Sequence, residues 1–325
     1  MNYRIWSGLL LLAGSYAQLL FPRRLFSHPG YLLYGYPVVA GNLLAISTTL
    51  FTLGVIVTAE GVCERFDAPS LWRLATSGTW LPLRVLAAAA VAGLSMEVPA
   101  QWLARLWYYP YWTAWFYGLV VVPGFAFFWA SIAESYLAVK AVLDAATTAR
   151  SGSAPGRVEP VVYHCLGVLS VVLVGGAAWG YARWYAARGG YAFAVSGPVR
   201  SAPPFGYALV AFVGLWFAAE WVLHRRGLPS LVGGALHGYR VPPVALVGSA
   251  LLLSVVTESQ NAVHHYWVYA HLPGGRVRPF GVPLSLYAAW PLQYVVFLMV
   301  AGLLVPDLAR LFWRRGVLSY SRPAM

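Results

Sequence analysis

Long apolar runs recur along this chain, at roughly 4–21, 37–59, 82–104, 113–139, 160–184, 205–224, 243–266 and 281–305. A bilayer core is about 30 Å thick, and about 20 helical residues cross it. In lipid every backbone polar group must be satisfied within the segment, so runs of this length point to membrane-spanning helices. A composition that is 60% hydrophobic and 10% charged excludes an ordinary soluble domain. The first run has the flank Ser15-Tyr16-Ala17, which resembles a signal-peptidase site. The parity of an internal repeat favours a retained span instead, giving eight.

That repeat runs from about Glu60 to Pro123 and returns about 160 positions later. Ala59-Glu60 answers Ala219-Glu220, Pro69-Ser70-Leu71 answers Pro229-Ser230-Leu231, and Pro82 answers Pro242. Trp107 and Tyr109 answer Trp267 and Tyr269, and Val122-Pro123 answers Val282-Pro283. Glu97 and Glu258 match one residue out of step, as a single insertion allows. The expected fold is an all-α polytopic integral membrane protein of about eight transmembrane helices, arranged as two parallel four-helix repeats. The repeats cover 1–146 and 161–325, joined by a polar, Ser/Gly/Pro-rich connector at 147–160. An even number of spans per repeat makes the halves insert in the same sense, about an axis along the membrane normal. A site shared by both halves would sit near that axis. Arg188 to Pro204 reads as an external loop.

The chain carries 22 basic and 10 acidic residues, a net charge of +12. More basic residues fall on the side of the two termini, Arg225, Arg226, Arg314 and Arg315 among them, which places both termini in the cytoplasm of a prokaryotic plasma membrane. Arg23 and Arg24 fall on the other side. Basic loops beside anionic membrane lipids account for the charge, and no nucleic-acid partner is expected. Cys63 and Cys165 are too few for a disulfide framework and lie near the reducing side.

Most acidic residues sit in loops or at span ends. Glu60 and Glu220 close the second and sixth spans, and Arg65 and Arg225 nearby suggest ion pairs at the helix ends. Glu97 and Glu258 lie deep in apolar sequence, where a charge is costly. Gln101 follows Glu97 at i+4; Asn261 and His265 follow Glu258 at i+3 and i+7. Each helix thus bears a polar stripe, which faces a bundle interior or wet cavity rather than lipid. An apolar setting favours the neutral acid, the form needed to protonate a double bond. The competing reading is structural glue, Glu bonded to Gln or Asn across helices. Glu134, with Tyr294 at its counterpart position, is expected either to pair with Lys140 or to contact substrate.

Aromatics follow each acid: Trp102, Trp107-Tyr108-Tyr109, Tyr111-Trp112 and Trp115-Phe116-Tyr117 after Glu97, and Tyr266-Trp267-Val268-Tyr269 after Glu258. Interface anchoring explains such a belt. Rings that face inward would line a pocket and stabilise cations. His264, His265 and His271 do not reproduce a helical zinc motif, so no metal is expected; a proton relay through His265 and Glu258 is the alternative role.

The run Glu258-Ser-Gln-Asn-Ala-Val-His-His-Tyr-Trp-Val-Tyr-Ala-His-Leu-Pro-Gly-Gly, continuing through Val282-Pro283 to Ala289-Trp290, resembles the carotenoid-biosynthesis membrane proteins, namely carotenoid hydratases and heterodimeric-type lycopene cyclases. Its Tyr-x-x-x-Pro-Gly-Gly portion is also similar to membrane spirocyclases of polyketide pathways. The resemblance covers about a third of the chain through short motifs. It implies a polytopic enzyme with an acidic helix end, an aromatic loop and an apolar substrate. The Pro-x-Glu-Glu signature of such lycopene cyclases is missing: Pro123 is followed by Gly-Phe-Ala, Pro283 by Leu-Ser-Leu and Pro291 by Leu-Gln-Tyr. Hydration, or cyclisation of another lipid-soluble substrate, is therefore what the resemblance supports.

The expected function is cofactor-independent acid catalysis on a terpenoid- or carotenoid-like lipid, by a cyclase or hydratase. Glu258 is the leading proton donor and Glu97 its partner, with His265 as relay. Asn261, Gln101, Trp107, Tyr109, Trp267, Tyr269 and Glu134 are the expected substrate-binding residues. The rivals are a proton-coupled transporter, its repeats rocking about the midplane acids, and a catalytically silent lipid-binding or assembly subunit.

Overall fold

Apolar runs in lipid satisfy their amides locally, and the described residues of this chain are mostly helical. The computed structural model describes residues 2–20, 32–33, 36–110, 112, 114, 117–118, 122–147, 158–192, 195, 197, 199–273 and 277–315. Arg23, Arg24, most of the connector, Tyr111, Trp115, Phe116 and the Gly-Gly of the second aromatic loop lie outside the described residues.

In chain order the helices are α1 (Tyr3–Ser15), α2 (Val38–Arg65), α3 (Leu71–Ala75), α4 (Leu81–Glu97), α5 (Val122–Ala146), α6 (Val158–Ala186), α7 (Phe205–Arg225), α8 (Leu231–Leu236), α9 (Val241–His264), α10 (Leu284–Leu304) and α11 (Pro306–Trp313). Two short antiparallel ladders are the only strand pairings among the described residues. One joins β1 (Leu32–Leu33) to β2 (Tyr36–Pro37), the other β3 (Trp107–Tyr108) to β4 (Val268–Tyr269). Among the described residues, seven helices are long and apolar enough to cross a membrane: α2, α4 with its continuation to Leu103, α5, α6, α7, α9 and α10. The first expected span differs from these. It is a 13-residue α-helix prolonged by 3₁₀ helix over Tyr16–Leu20.

The inner group is α4, α5, α9 and α10, in which α4 packs on α5 and α10, and α9 packs on the same two. Outside it α2 leans on α5 and α7 on α10; outermost, α1 packs on α2 and α6 on α7. Helix α10 is buried along most of its length despite Pro291 within it. Its Phe297 carbonyl accepts from Trp129 Nε1 at 3.1 Å, and α11 is held by Tyr136, whose hydroxyl donates to Phe312 O at 2.8 Å. Helix α6 turns Val168, Val171, Val172 and Trp179 outward, an apolar face suited to lipid.

The two outermost contacts are made by glycines 160 positions apart. A Cβ on Gly54 would stand 2.8 Å from Leu12 N, and one on Gly214 3.0 Å from Val174 N. Without a hydrophobic force between helices in lipid, close backbone approach at small residues is what holds such pairs.

The recurring Pro-Ser-Leu opens the short helices α3 and α8. Ser70 Oγ accepts from Arg73 N and Ser230 Oγ from Gly233 N, both at 3.2 Å, as N-caps. The carboxylates near these caps differ from expectation. Glu60 pairs with Arg4 of α1 at 3.0 Å, not with Arg65. Glu220 accepts from Trp216 Nε1 at 3.1 Å and Val232 N at 3.0 Å, not from Arg225. Both arginines follow their glutamates at i+5, about 140° round the helix, so they share no face with them.

Gly54→Ala forces α1 off α2 and is expected to cost about 1–3 kcal/mol, as overpacking does. Gly176→Ala, where a Cβ meets nothing within 4 Å, is expected to be neutral or slightly stabilising. Thermal unfolding of the two variants in detergent measures the contrast.

Candidate functional site

Helix α4 ends at Glu97 and passes into a π-helical turn over Val98–Leu103 that contains Pro99. A π-turn takes up one residue more than an α-turn. That accounts for the sequence mismatch: Tyr109 lies 12 positions after Glu97, Tyr269 only 11 after Glu258. With the extra residue absorbed, the two aromatic segments meet in register, Trp107 opposite Tyr269 and Tyr108 opposite Val268. Ala270 N adds a bond to Leu106 O at 2.8 Å, and Tyr109 N one to Val195 O at 2.8 Å.

Side chains of a strand alternate, so Trp107 and Tyr109 share one face, as do Trp267 and Tyr269. The facing rings of Trp107 and Tyr269 pack edge-on, centroids 6.3 Å apart. All four residues line one cavity of about 470 Å³, reached also by Thr257 of α9 and Gln293 of α10. That size is within the roughly 300–1,000 Å³ of small-molecule sites.

Glu97 and Glu258 are fully buried and sit behind the tyrosines. Glu97 Oε1 accepts from Tyr109 at 2.9 Å and from Tyr117 at 2.8 Å. Trp107 Nε1 donates to the Tyr109 hydroxyl at 3.1 Å, and Trp102 Nε1 to that of Tyr117 at 2.8 Å. Glu258 Oε1 accepts from Tyr269 at 2.6 Å. Asn261 Nδ2 approaches Glu258 Oε2 at 3.4 Å, and it also donates to Trp267 O at 3.1 Å while Asn261 Oδ1 accepts from Trp267 N at 3.2 Å. Asn261 therefore clamps the start of β4. Burial first, and the facing carboxylate second, pushes the Tyr109 and Tyr269 phenols up from their usual values. Both remain hydroxyl donors.

The remaining expected residues are placed elsewhere. Gln101 is buried in the π-turn and does not line the cavity. His265 does not lie on the Glu258 stripe. Helix α9 ends at His264, and His265 is its exposed C-cap with φ 54°, so the i+7 spacing never applies. Glu134 does not line the cavity and is not paired with Lys140. It accepts from Trp72 N, in the first turn of α3, at 3.1 Å, while Lys140 pairs with Asp144 at 3.1 Å. Helical spacing explains this, since Asp144 stands at i+4 from Lys140 and Glu134 at i−6. His271 is exposed, its Nε2 2.9 Å from Val199 O. Among the described residues no three His, Cys, Asp or Glu side chains group as metal ligands.

Two members of the site had no individual signal in the sequence. Tyr117 was one ring of an aromatic belt, and only the turn back toward α4 selects it. Thr257 precedes Glu258 and reaches the cavity. Chemically, the arrangement offers two hydroxyls, each backed by a carboxyl group, inside an aromatic enclosure. Such groups can hand over or take up a proton, and the rings can stabilise a cation.

Tyr269→Phe removes the short bond to Glu258 and is expected to cost about 1–3 kcal/mol, the usual loss when a buried acceptor is stranded. Tyr117→Phe leaves Glu97 with Tyr109 but takes the acceptor from the half-buried Trp102 Nε1, and should cost about 1 kcal/mol. Apparent melting temperatures in detergent rank the two. Compared with models of protein families, with characterised proteins and with solved structures, the chain matches none.

Proposed function

We propose that this chain is an eight-span membrane enzyme of two parallel four-helix repeats, which cyclises or hydrates a terpenoid-like, lipid-soluble substrate by acid catalysis. The observation that carries the reading is the pair of carboxyl-backed tyrosines presented to one apolar cavity. Tyr109 and Tyr269 are the groups that touch substrate, and Glu97 and Glu258 supply and receive the proton through them. Trp107 and Trp267 face the developing cation, and Asn261 holds β4 in place. Enclosure in apolar walls strengthens these interactions and limits stray water. The reading requires no cofactor.

Supporting the repeat are the matched glycines Gly54 and Gly214, the matched caps Ser70 and Ser230, and the paired acids. Supporting the eighth span is length: thirteen α-helical and five 3₁₀ residues rise about 20 Å and about 10 Å, enough for a bilayer core. The setting proposed is a prokaryotic plasma membrane with both termini cytoplasmic. A second reading, proton-coupled transport, is favoured by the π-turn beside Glu97, since transporters break helices next to their ion sites.

The test is mass spectrometry of lipid extracts from a host that makes acyclic isoprenoids, expressing the wild type, Glu258→Gln or Glu97→Gln. A new product of unchanged mass and altered retention marks cyclisation; one heavier by a water marks hydration. Either should fall by about 10²-fold or more in the variants, the scale of general acid catalysis. Absence of any product, or a product indifferent to both substitutions, overturns the enzyme reading. Proton-driven uptake into vesicles would then favour the transporter.

A further inference from the structure

The wall of the cavity is continuous with the outer surface of the helix bundle. Leu53 of α2 and Phe127 of α5 line the cavity, yet they are 38% and 56% exposed. Both lie inside apolar segments long enough to cross a membrane, Ile46–Arg65 and Gly124–Ala146, on helices packed against each other. At that depth their exposed faces meet hydrocarbon, so the mouth opens sideways into the bilayer.

Size limits what can be enclosed. A cavity of about 470 Å³ lies at the small end of the roughly 300–1,000 Å³ of small-molecule sites. A chain longer than the cavity must leave its remainder in the mouth or the lipid. Moving an apolar chain from lipid into an apolar pocket also gains little, because both surroundings are alike. What the cavity offers beyond lipid is polar: two tyrosines, Gln293 and four threonines in its wall.

Among these, Thr257 stands apart: the residue borders the cavity, and its Oγ1 is buried with no hydrogen-bond partner among the described residues. A helical threonine ordinarily back-bonds to the preceding turn, as Thr52 of the same cavity does to Thr48 O at 2.8 Å. An unsatisfied buried hydroxyl is costly, and an oxygen on the ligand would satisfy it. We infer that the cavity takes, sideways from the bilayer between α2 and α5, the oxygen-bearing end of a chain lipid longer than the cavity itself. This rests on the cavity being the substrate site, and it narrows the substrate to lipids with a hydroxyl or carbonyl near one terminus.

The experiment uses the full chain in lipid nanodiscs with two photoreactive probes, a C20 polyprenyl alcohol and its deoxy analogue. Each is made with a diazirine near the head or at the tail, and insertion is mapped by peptide mass spectrometry. The head-labelled alcohol should mark Trp107 or Phe128 at least fivefold more than the deoxy analogue. The tail-labelled alcohol should mark Leu53 or Phe127. Thr257→Val should reduce head labelling to the level of the deoxy analogue, whereas Thr257→Ser, which keeps the hydroxyl, should preserve it. Equal labelling by alcohol and analogue, or full labelling of Thr257→Val, overturns the oxygen requirement. Tail labels confined to the inner cavity overturn the sideways entry. Labelling reads binding rather than turnover: with labelling but no lipid product, the enzyme reading falls and this one stands, and the converse result reverses that outcome.

Discussion

A carboxyl group buried in a membrane protein has to be met by donors, and here the donors come from outside its own helix. Tyr109 and Tyr117 meet Glu97, and Tyr269 meets Glu258. The loops that carry these tyrosines are thereby pulled against the helix ends. Once there, β3 and β4 pair across the two halves of the chain and close the cavity. The acids thus organise the aromatic wall as well as serving the proposed chemistry. The same bonds explain why the carboxyl groups are withdrawn from the cavity surface, behind the phenols.

The two acids are not equivalent. Glu97 receives two phenols on one oxygen, and its Oε2 is buried without a partner among the described residues. Glu258 receives one phenol and an amide, one on each oxygen. The two carboxyl groups therefore stand behind their phenols in unlike hydrogen-bond settings.

Much of this was legible in the sequence because hydropathy and spacing act locally. The apolar runs mark all seven long helices, although α5 (Val122–Ala146) lies later than the run 113–139 and α2 (Val38–Arg65) outlasts the run 37–59 by six residues; the buried glutamates stand out by their cost. Trp107, Tyr109, Trp267 and Tyr269 stand out in the sequence as rings of two aromatic belts, but the strand pairing that brings the belts together does not. Where local regularity stops, inference fails. His265 was read on a helix that ends one residue earlier. Spacing offers Glu134 either Lys140 on its own helix or a substrate, although its partner is a backbone amide on α3. Arg65 and Arg225 are near Glu60 and Glu220 in sequence but turned away on the helix. The π-turn is visible in sequence only as a one-residue offset, whose structural form the letters do not reveal.

The amides of Trp72 and Val232, 160 positions apart, are both bound by carboxylates, but from different helices: Glu134 on α5 for one, Glu220 on α7 for the other. The first half therefore holds two buried carboxylates near one short helix, Glu60 and Glu134, close enough to feel each other's charge. In the second half Tyr294 stands where the additional acid would be. What makes the difference tolerable is Arg4, which α1 brings to Glu60. The outermost helix thus acts as a counterion for the first half, and charge neutrality, along with glycine packing, ties it to the bundle.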